Sequence, residues 1–478
     1  MQEIMNRKIT IPDIPTGDPF VDAGNLAFQA LSKRFPEKTV PDLIEFATDI
    51  YVSTWKGKIN TLYLNSKITN SAYKGEAKKT ETLKLFDHYF CDSGNGTPAA
   101  YCRICGKQAR LFTTGRDSMC LSGSGAFVNF HHSHEEGLRL CADCITKLFF
   151  LPLAVVYLGA NLAVLDCSSN RLKTFWLNRT LNKNLDKIGK NLSEGILKSR
   201  YSNPVNALFY MASDIISSGP DGGPDQMADE SVLFYHFTNF GASPDCTLYA
   251  VPNPVFRYMN YVINHCARDW YGFVNRHYHI RQSRWDDDHQ CWVKTGKSAE
   301  KIGETDYVNN KNTVFERLIS NRSILPLLCR FYKNISDSPT RHINILLADR
   351  YVMEVLEMKR EQIDLIKKIG NVIFDIGKKE DSLKKLITQV EAASKAFQLR
   401  MVLNKVVKLN FTMGNREPVC RLDEYVDYLF PDGQYWSEVR DMLLIYLYER
   451  MHDACMAPDS KTAESEKAES ETTLLTNI

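Results

Sequence analysis

The sequence predicts an α+β protein: a mixed N-terminal domain with an inserted four-cysteine zinc ribbon, followed by an all-α C-terminal helical bundle. Two Cys-x-x-Cys pairs, at 102–105 and 141–144, predict the ribbon. Apolar residues at helical spacing beyond position 341 predict the bundle, and Leu-Ala-Val-Leu at 162–165 predicts a strand between the two. At 478 residues the chain exceeds what one hydrophobic core usually supports, so we expect several domains.

Changes in composition divide the chain into five predicted parts. They are an N-terminal α+β region at 1–90, a zinc-ribbon module with a long insertion at 91–146, a central α+β region at 147–340, a C-terminal helical bundle at 341–457 and a disordered tail at 458–478. Within the first part, 51–64 has the aromatic and β-branched content of a strand or hairpin. The pattern of residues 435–451 predicts the last helix, whereas the tail lacks the apolar content that folding requires.

Charge is balanced over the whole chain but segregated along it. The formal net charge is +2, and 44% hydrophobic with 24% charged residues exclude wholesale disorder, a collagenous chain and a membrane bundle. Residues 321–416 contain 18 Lys and Arg against 10 Asp and Glu, whereas 417–478 contain 5 against 14. A nucleic-acid site must therefore come from local basic segments rather than from the net charge.

The cysteine content and the first residues predict a cytoplasmic protein with no membrane span. The 13 cysteines are an odd number, and the chain begins without the apolar stretch of a secretory signal, so we expect reduced thiols. Residues 148–165 are apolar, but Pro152, Gly159 and Asn161 interrupt them, and a membrane helix normally needs about 20 continuous apolar residues. A buried helix that ends near Gly159 explains this stretch better.

The two Cys-x-x-Cys pairs have the most specific chemistry in the sequence. Each pair lets one tight turn direct two sulfurs at a single ion, and two such turns complete a tetrahedral shell. The predicted ligands are Cys102, Cys105, Cys141 and Cys144. Gly106 follows the first pair and suits a turn that needs positive φ. We predict a structural zinc ion, Zn2+, and no redox role for the pairs.

The long spacing between the pairs leaves alternatives open. Between Cys105 and Cys141 lie 35 residues, where about 15–20 are usual, so an insertion occupies the gap. The alternatives to four thiolates are core cysteines without metal and one histidine ligand, from His131, His132 or His134.

A catalytic metal site is a further alternative, either at 131–136 or at 286–289, where Asp-Asp-Asp-His occurs. The sequence contains neither His-Glu-x-x-His nor a Walker-type phosphate loop, and adjacent carboxylates are usually solvent-facing charge. We therefore predict no catalytic residues.

Three groups of residues are candidate nucleic-acid contacts. A small Ser/Gly loop followed by an asparagine could approach a groove closely, and its members are Ser122, Ser124 and Asn129. The basic stretch 170–200 supplies a second group, Arg171, Lys173, Arg179 and Lys183. Cations on the C-terminal amphipathic helices suit phosphates rather than bases, and this third group is Lys384, Lys385, Lys395, Arg400, Lys405 and Lys408.

The order of these motifs resembles the CXXC-CXXC family of CRISPR-associated proteins. The resemblance rests on Thr-Gly-Asp-Pro-Phe-Val-Asp-Ala-Gly at 16–24, on the paired cysteine knuckles, and on Ser-Gly-Ser-Gly at 122–125 with Asn129 between them. It implies a non-catalytic large subunit of a type I-B Cascade complex. Such a subunit binds the crRNA 5′ end and double-stranded target DNA, recognises the protospacer-adjacent motif (PAM) and recruits the helicase-nuclease. The implied protein partners are the backbone, crRNA-processing and small subunits.

Two other classes of function stay open at this point. A zinc-ribbon nuclease would need a catalytic metal site, and a guide-independent DNA-binding regulator would bind one sequence by itself. The resemblance also implies that the C-terminal helical block can be made separately as a small subunit from an internal start. Met353 and Met358 are the candidate starts, although methionines that fill a helical core explain both residues more simply.

Overall fold

A computed structural model gives the structure of the protein for residues 9–91, 100–122, 128–129, 135–218, 230–238, 245–296, 300–336, 344–430 and 436–454. The chain divides into two compact units. Unit 1 comprises Met1–Phe256 and Gly303–Lys311, and unit 2 comprises Arg257–Ile302 and Asn312–Ile478. Both units contain helices and strands, which confirms the predicted α+β class.

Unit 1 mixes helices and short strands. Its helices are α1 (Pro19–Arg34), α2 (Val40–Asp49), α3 (Glu76–Phe90), α4 (Ala142–Phe150), α5 (Asn170–Gly189), α6 (Pro204–Ser218) and, after the following helix, α8 (Glu304–Tyr307). Helix α7 (Asn253–Asn275) crosses the unit boundary, and its larger part, from Arg257, belongs to unit 2. The strands of unit 1 are β1 (Ala100–Tyr101), β2 (Gln108–Ala109), β3 (Leu111–Thr114), β4 (Val128–Asn129), β5 (Glu135–Glu136), β6 (Leu138–Cys141), β7 (Val156–Leu158), β8 (Asn161–Cys167), β9 (Leu197–Lys198), β10 (Val232–Thr238) and β11 (Asp245–Val251). A π-helical turn, Ile50–Thr54, follows α2.

A five-stranded sheet forms the centre of unit 1. Its strand order is β11-β10-β8-β7-β9, and only the β7–β9 pair is parallel. Leu165 on β8 lies opposite Phe234 on β10, and both side chains are buried. Helix α1 packs against α4, α5 and β8, with the Phe20 ring 4.8 Å from the ring of Phe237. Burial of this apolar layer orders α1 and α4 side by side.

Unit 2 combines a small antiparallel sheet with a group of helices. Its strands, in sheet order, are β12 (Ser283–Asp286), β13 (Cys291–Lys294) and β14 (Lys301–Ile302). Its helices are α9 (Thr313–Ile319), α10 (Leu325–Ser336), α11 (Leu346–Glu354), α12 (Arg360–Lys379), α13 (Leu383–Glu391), α14 (Ala396–Thr412), α15 (Leu422–Glu424), followed by a π-helical turn at Tyr425–Leu429, and α16 (Trp436–Asp453). Helix α16 packs against α10, α12, α13 and α14.

The C-terminal helices pack across the boundary that we predicted at position 341. Helices α11 to α16 account for the helical content expected after that position. However, α10 precedes it and lies against α16, and Lys333 Nζ on α10 lies 3.1 Å from Glu391 Oε1 on α13. The five-part division stays a prediction, and unit 2 is a coarser body that includes residues on both sides of 341.

Two local predictions in unit 1 are wrong. Residues 51–64 form the π-helical turn and further turns instead of a strand, because Tyr51 and Trp55 bury their rings in the core. The helix expected to end near Gly159 ends at Phe150, and Gly159, with φ +62°, makes the turn between β7 and β8. The strand predicted at 162–165 is confirmed in β8. In the described residues, no helix combines the length and the apolar character needed to cross a membrane.

Candidate metal centre

Two antiparallel strand pairs and one helix end position the four cysteines. Strands β1 and β2 form the first knuckle, with Cys102 and Cys105 between them. Strand β3 pairs with β6, whose last residue is Cys141. Helix α4 begins directly after Cys141, so that Cys144 lies in its first turn. The insertion between the knuckles thus supplies the strands that return the chain to the first pair.

Two pairs among the four sulfur atoms have the separation expected in a tetrahedral metal shell. The Sγ atoms of Cys102 and Cys144 lie 3.8 Å apart, and those of Cys105 and Cys141 lie 3.7 Å apart. Sulfurs bound about 2.3 Å from one tetrahedral ion lie about 3.8 Å from each other. All four lie within 4.8 Å of one another, and in the part of the chain that the structure describes no other group of metal-ligating side chains comes together in this way. The cluster can therefore hold a metal ion.

Backbone hydrogen bonds fix the first knuckle. Gly106 N donates to Cys102 O, and Cys102 N donates to Lys107 O, both at 3.0 Å. Gly106 has φ +68°, which confirms the positive φ expected after the first pair. Across the cluster, Cys141 N donates to Cys102 Sγ at 3.4 Å, a contact that stabilises a thiolate.

Charge also connects the two knuckles. Lys107 Nζ lies 3.1 Å from Asp143 Oδ2, and this hydrogen bond raises the pKa of Lys107. Hydrogen bonds from Cys141 and Cys144 lower the pKa of the Cys102 thiol. Hydrogen bonding with Cys102 raises the pKa of Cys144 and raises that of Cys141 to about 12. Four sulfurs this close resist joint ionisation, and a divalent cation would remove that resistance.

The far end of α4 is fixed by the core of unit 1. The Tyr51 hydroxyl donates to Phe149 O at 2.8 Å, and the Tyr63 hydroxyl donates to Leu148 O. These carbonyls lie in the last turn of α4, where a helix leaves its acceptors unpaired. Burial raises the pKa of both tyrosines well above the usual range, so both remain protonated donors. Helix α4 thus runs from the cysteine cluster into the core.

The motif at 16–24 folds the entry into α1. Asp18 is the N-cap of α1 and accepts hydrogen bonds from Phe20 N and Val21 N. The buried carboxylate of Asp22 accepts from Thr16 N at 2.7 Å and from Thr16 Oγ1 at 2.8 Å. The bonds to Asp18 satisfy two free donors at the start of the helix, and those to Asp22 fix the residue Thr16 before it.

The last glycine of this motif is the point of closest approach between α1 and α4. A Cβ atom on Gly24 would lie 2.0 Å from Lys147 O, so only glycine fits. Lys147 itself is 3% exposed, and its Nζ donates to Ile14 O at 3.1 Å. The motif that supports the family resemblance therefore packs onto the helix that carries Cys144. No local pattern in the sequence indicates the roles of Gly24 and Lys147, because the two residues are distant in the chain.

The structure describes only part of the predicted Ser/Gly loop. Ser122 Oγ donates to Met119 O at 2.7 Å, within its own turn. Ser124 and the histidines at 131–134 lie outside the described residues. Asn129 lies in β4, which pairs with β5, while its side chain is outside the described part. Base contacts by this loop stay a prediction.

The basic residues predicted on 170–200 lie on α5 and have different surroundings. Lys173 Nζ lies 2.6 Å from Asp166 Oδ1, and both side chains are mostly buried. The charge of Lys173 is therefore paired inside the fold. Arg179 lies 3.4 Å from Asp214, and Lys183 lies in the same cleft as Arg179. Arg171 is exposed near the start of the helix.

The basic residues predicted on the C-terminal helices divide into packed and exposed ones. The Arg400 guanidinium lies over the Phe430 ring, 5.2 Å from its centroid, and packs there. Lys405 Nζ donates to Gln389 Oε1 at 3.3 Å. Lys405 is exposed, as are the remaining four: Lys384, Lys385, Lys395 and Lys408. The exposed lysines are the better candidates for phosphate contact.

The acidic segment at 286–289 is a hairpin turn between β12 and β13. Asp286 Oδ1 accepts hydrogen bonds from the backbone N atoms of Asp288 and His289, both at 3.0 Å. Asp287 forms an ion pair with Arg276. These contacts favour the interpretation as an exposed turn over a catalytic metal site.

Comparison with known proteins adds no family assignment. No protein-family model matches this chain, and no match is found among curated proteins.

Proposed function

We propose that this protein is the non-catalytic large subunit of a type I-B CRISPR Cascade complex. In this role it acts in the cytoplasm, binds the crRNA 5′ end and the target DNA, recognises the PAM and recruits the helicase-nuclease. The observation that supports the proposal most is that two knuckles separated by 35 residues converge on one cluster of four cysteines. The second motif of the resemblance, at 16–24, packs onto α4, which begins at that cluster.

The metal that we propose is a single structural Zn2+. All four donors are sulfur atoms, which favour zinc over the hard cations calcium and magnesium. Four protein ligands leave no coordination position for a reacting water, so the ion would stabilise the fold rather than catalyse. It would hold the first knuckle, the end of β6 and the start of α4 together, as a rigid base for PAM contacts from the insertion.

A role in nucleic-acid binding requires only contacts to bases and phosphates from this chain. Guide pairing supplies most of the sequence specificity in RNA-guided complexes, so the protein requires few base contacts and many phosphate contacts. The exposed lysines of α13 and α14 suit the latter, in a C-terminal all-helical bundle that we propose as the counterpart of a small subunit.

The direct test is purification of the tagged chain from its native host. We expect CRISPR backbone-type subunits and one class of small RNA in the eluate. Divalent-metal-dependent DNA cleavage by the chain alone would replace the proposal with a zinc-ribbon nuclease. Tight binding to one DNA sequence with no guide RNA would replace it with a regulator.

A separate C-terminal subunit would need compensation for lost packing. Met353 lies in α11, so a polypeptide that starts there lacks α10 and most of α11. Helix α10 covers part of α16, and Lys367 on α12 pairs with Asp349 on α11 at 2.6 Å. If intact-mass measurement of a C-terminally tagged gene product finds a short species, we expect it bound to partners rather than free.

A further inference from the structure

A basic cleft lies in unit 1, with α5, β9 and α6 contributing to its walls. Its volume is about 530 Å³. The charged side chains of its lining are Arg179, Lys183, Lys187, Lys198, Arg200, Asp186 and Asp214. Five cations thus face two carboxylates in one concave surface. Trp176 and Leu197 add apolar area to the same lining.

Three of these cations follow one face of α5. Arg179, Lys183 and Lys187 are spaced four residues apart, and an α-helix rises about 6 Å over four residues. That step is comparable to the distance between consecutive phosphates of an extended nucleic-acid strand. The spacing therefore favours a chain of phosphates over one isolated anion.

The carboxylates neutralise only part of this face. Asp214 lies 3.4 Å from Arg179, and Asp186 pairs with Lys190 at 2.9 Å. In the region of the chain described by the structure, no carboxylate lies within 4.0 Å of the ammonium of Lys183 or Lys187. Partial desolvation lowers the pKa of Lys183, the neighbouring Arg179 lowers it further, and Asp214 raises it. An incoming anion would relieve this repulsion between cations.

The cleft lining also holds an oriented guanidinium. Arg200 donates a hydrogen bond to the Tyr201 hydroxyl, and its Cζ lies 4.7 Å from the centroid of that ring. The Tyr201 ring stacks on Tyr210 at 4.6 Å with an interplanar angle of 10°. A guanidinium fixed in this way loses little freedom when it binds a phosphate.

We propose that this cleft binds the sugar–phosphate backbone of a single-stranded nucleic acid, with Lys183, Lys187 and Arg200 as phosphate contacts. The four-residue spacing of cations along α5 suits the phosphates of one extended strand. The inference rests on the proposed function for the biological identity of the strand. Binding itself is a property of the purified chain and can be measured without the Cascade complex.

The test is fluorescence anisotropy with labelled 12-nucleotide polyuridine RNA and polythymidine DNA over a range of salt concentrations. The variant is K183Q/K187Q, and the matched control is K33Q/K74Q, which removes two exposed lysines of the same unit outside the cleft. We expect the cleft variant to lose about tenfold or more in affinity for the preferred strand. The slope of log affinity against log salt should fall by about 1.4, since each single-strand phosphate contact contributes about 0.7.

Three outcomes would overturn the inference. Equal affinities of the two double variants, with both folded by circular dichroism, would remove the cleft from the binding surface. Full competition by inorganic pyrophosphate at an equal phosphate concentration would identify a simple anion site. Equal competition by duplex DNA would contradict a single-strand path. Strand binding that K183Q/K187Q weakens, in a chain that copurifies with no CRISPR subunit, would refute the proposed function and leave the cleft assignment intact.

Discussion

The two ends of helix α4 are held by different physical interactions. At its N-terminus, Cys141 and Cys144 belong to a sulfur cluster with the spacing of a metal shell. Along its length and at its C-terminus, α4 is held by the close contact with Gly24 and by hydroxyl groups of Tyr51 and Tyr63. A bound metal ion would make stability at the first end depend on metal concentration and thiol ionisation, whereas stability at the second end depends on packing and hydrogen bonds.

This difference shows that two sequence motifs that meet at one helix can have separate roles. The cysteine pairs predict chemistry directly, because few other arrangements place four thiols together. The motif at 16–24 has no chemistry of that kind, and its Asp, Pro and Gly residues cap and pack one helix. Substitutions at the two ends should therefore separate metal binding from packing.

The largest effect is expected for Cys102→Ser. Binding energies of structural zinc sites are about 10–16 kcal/mol in small peptides, which is comparable to the whole stability of a domain. We expect the variant to lose both metal and soluble folded protein, as measured by metal analysis and circular dichroism. Cys91→Ser is the control, since Cys91 lies outside the cluster. A well-folded Cys102→Ser protein without metal would refute a structural role for the site.

The next effect is expected for Gly24→Ala. The added Cβ would lie 2.0 Å from Lys147 O, and backbone must move to relieve that clash. We expect a loss of about 3 kcal/mol or more in the free energy of unfolding. Gly189→Ala, where a Cβ meets no atom within 4 Å, should stay near wild type. Equal melting temperatures for the Gly24 and Gly189 variants would mean that α1 and α4 are not in this close contact.

A smaller effect is expected for Tyr51→Phe. This substitution leaves the buried carbonyl of Phe149 without its donor, at a cost of about 1–3 kcal/mol. The urea midpoint should fall while metal content stays the same, because the change affects only the packed end of α4. Loss of metal in a folded Tyr51→Phe protein would show that the two ends are coupled.

The smallest effect is expected for Asp18→Asn. Desolvation raises the pKa of Asp18, so the ionised carboxyl is less favourable in the folded than in the unfolded state. Wild-type stability therefore falls, relative to the amide variant, as pH rises through the ordinary carboxyl pKa towards the raised one. Asparagine caps helices about as well as aspartate, so the variant should match or exceed wild type at pH 7 by less than about 1 kcal/mol. A marked loss at pH 7 would mean that the carboxylate charge itself is required.

The sequence predicted the four-cysteine cluster better than its surroundings. Spacing alone identified Cys102, Cys105, Cys141 and Cys144, because each knuckle is local. The supporting contacts of Gly24 and Tyr51 join residues about 100 positions apart, and no local pattern encodes such pairs. For the same reason the aromatic content of 51–64 predicts a strand, whereas these residues form turns. The rings of Tyr51 and Trp55 in these turns are buried in the core.

The basic segment was also predicted incompletely. The number of cations along 170–200 made Lys173 a candidate contact. Its charge, however, is paired with Asp166 inside the fold. The repeat of Arg179, Lys183 and Lys187 at four-residue intervals was a visible signal for one helical face. Arg200 lines the same cleft but lies outside α5, so only the tertiary fold could place it beside them.

The most direct test of this account is native mass spectrometry of the purified full-length chain, compared with its denatured mass. We predict that the native mass exceeds the denatured mass by one zinc ion per chain, and that Cys102→Ser and Cys141→Ser each abolish the difference. A folded chain with no bound metal, or one whose cysteines are joined in disulfides, would contradict the central claim that the four-cysteine cluster is a closed metal site.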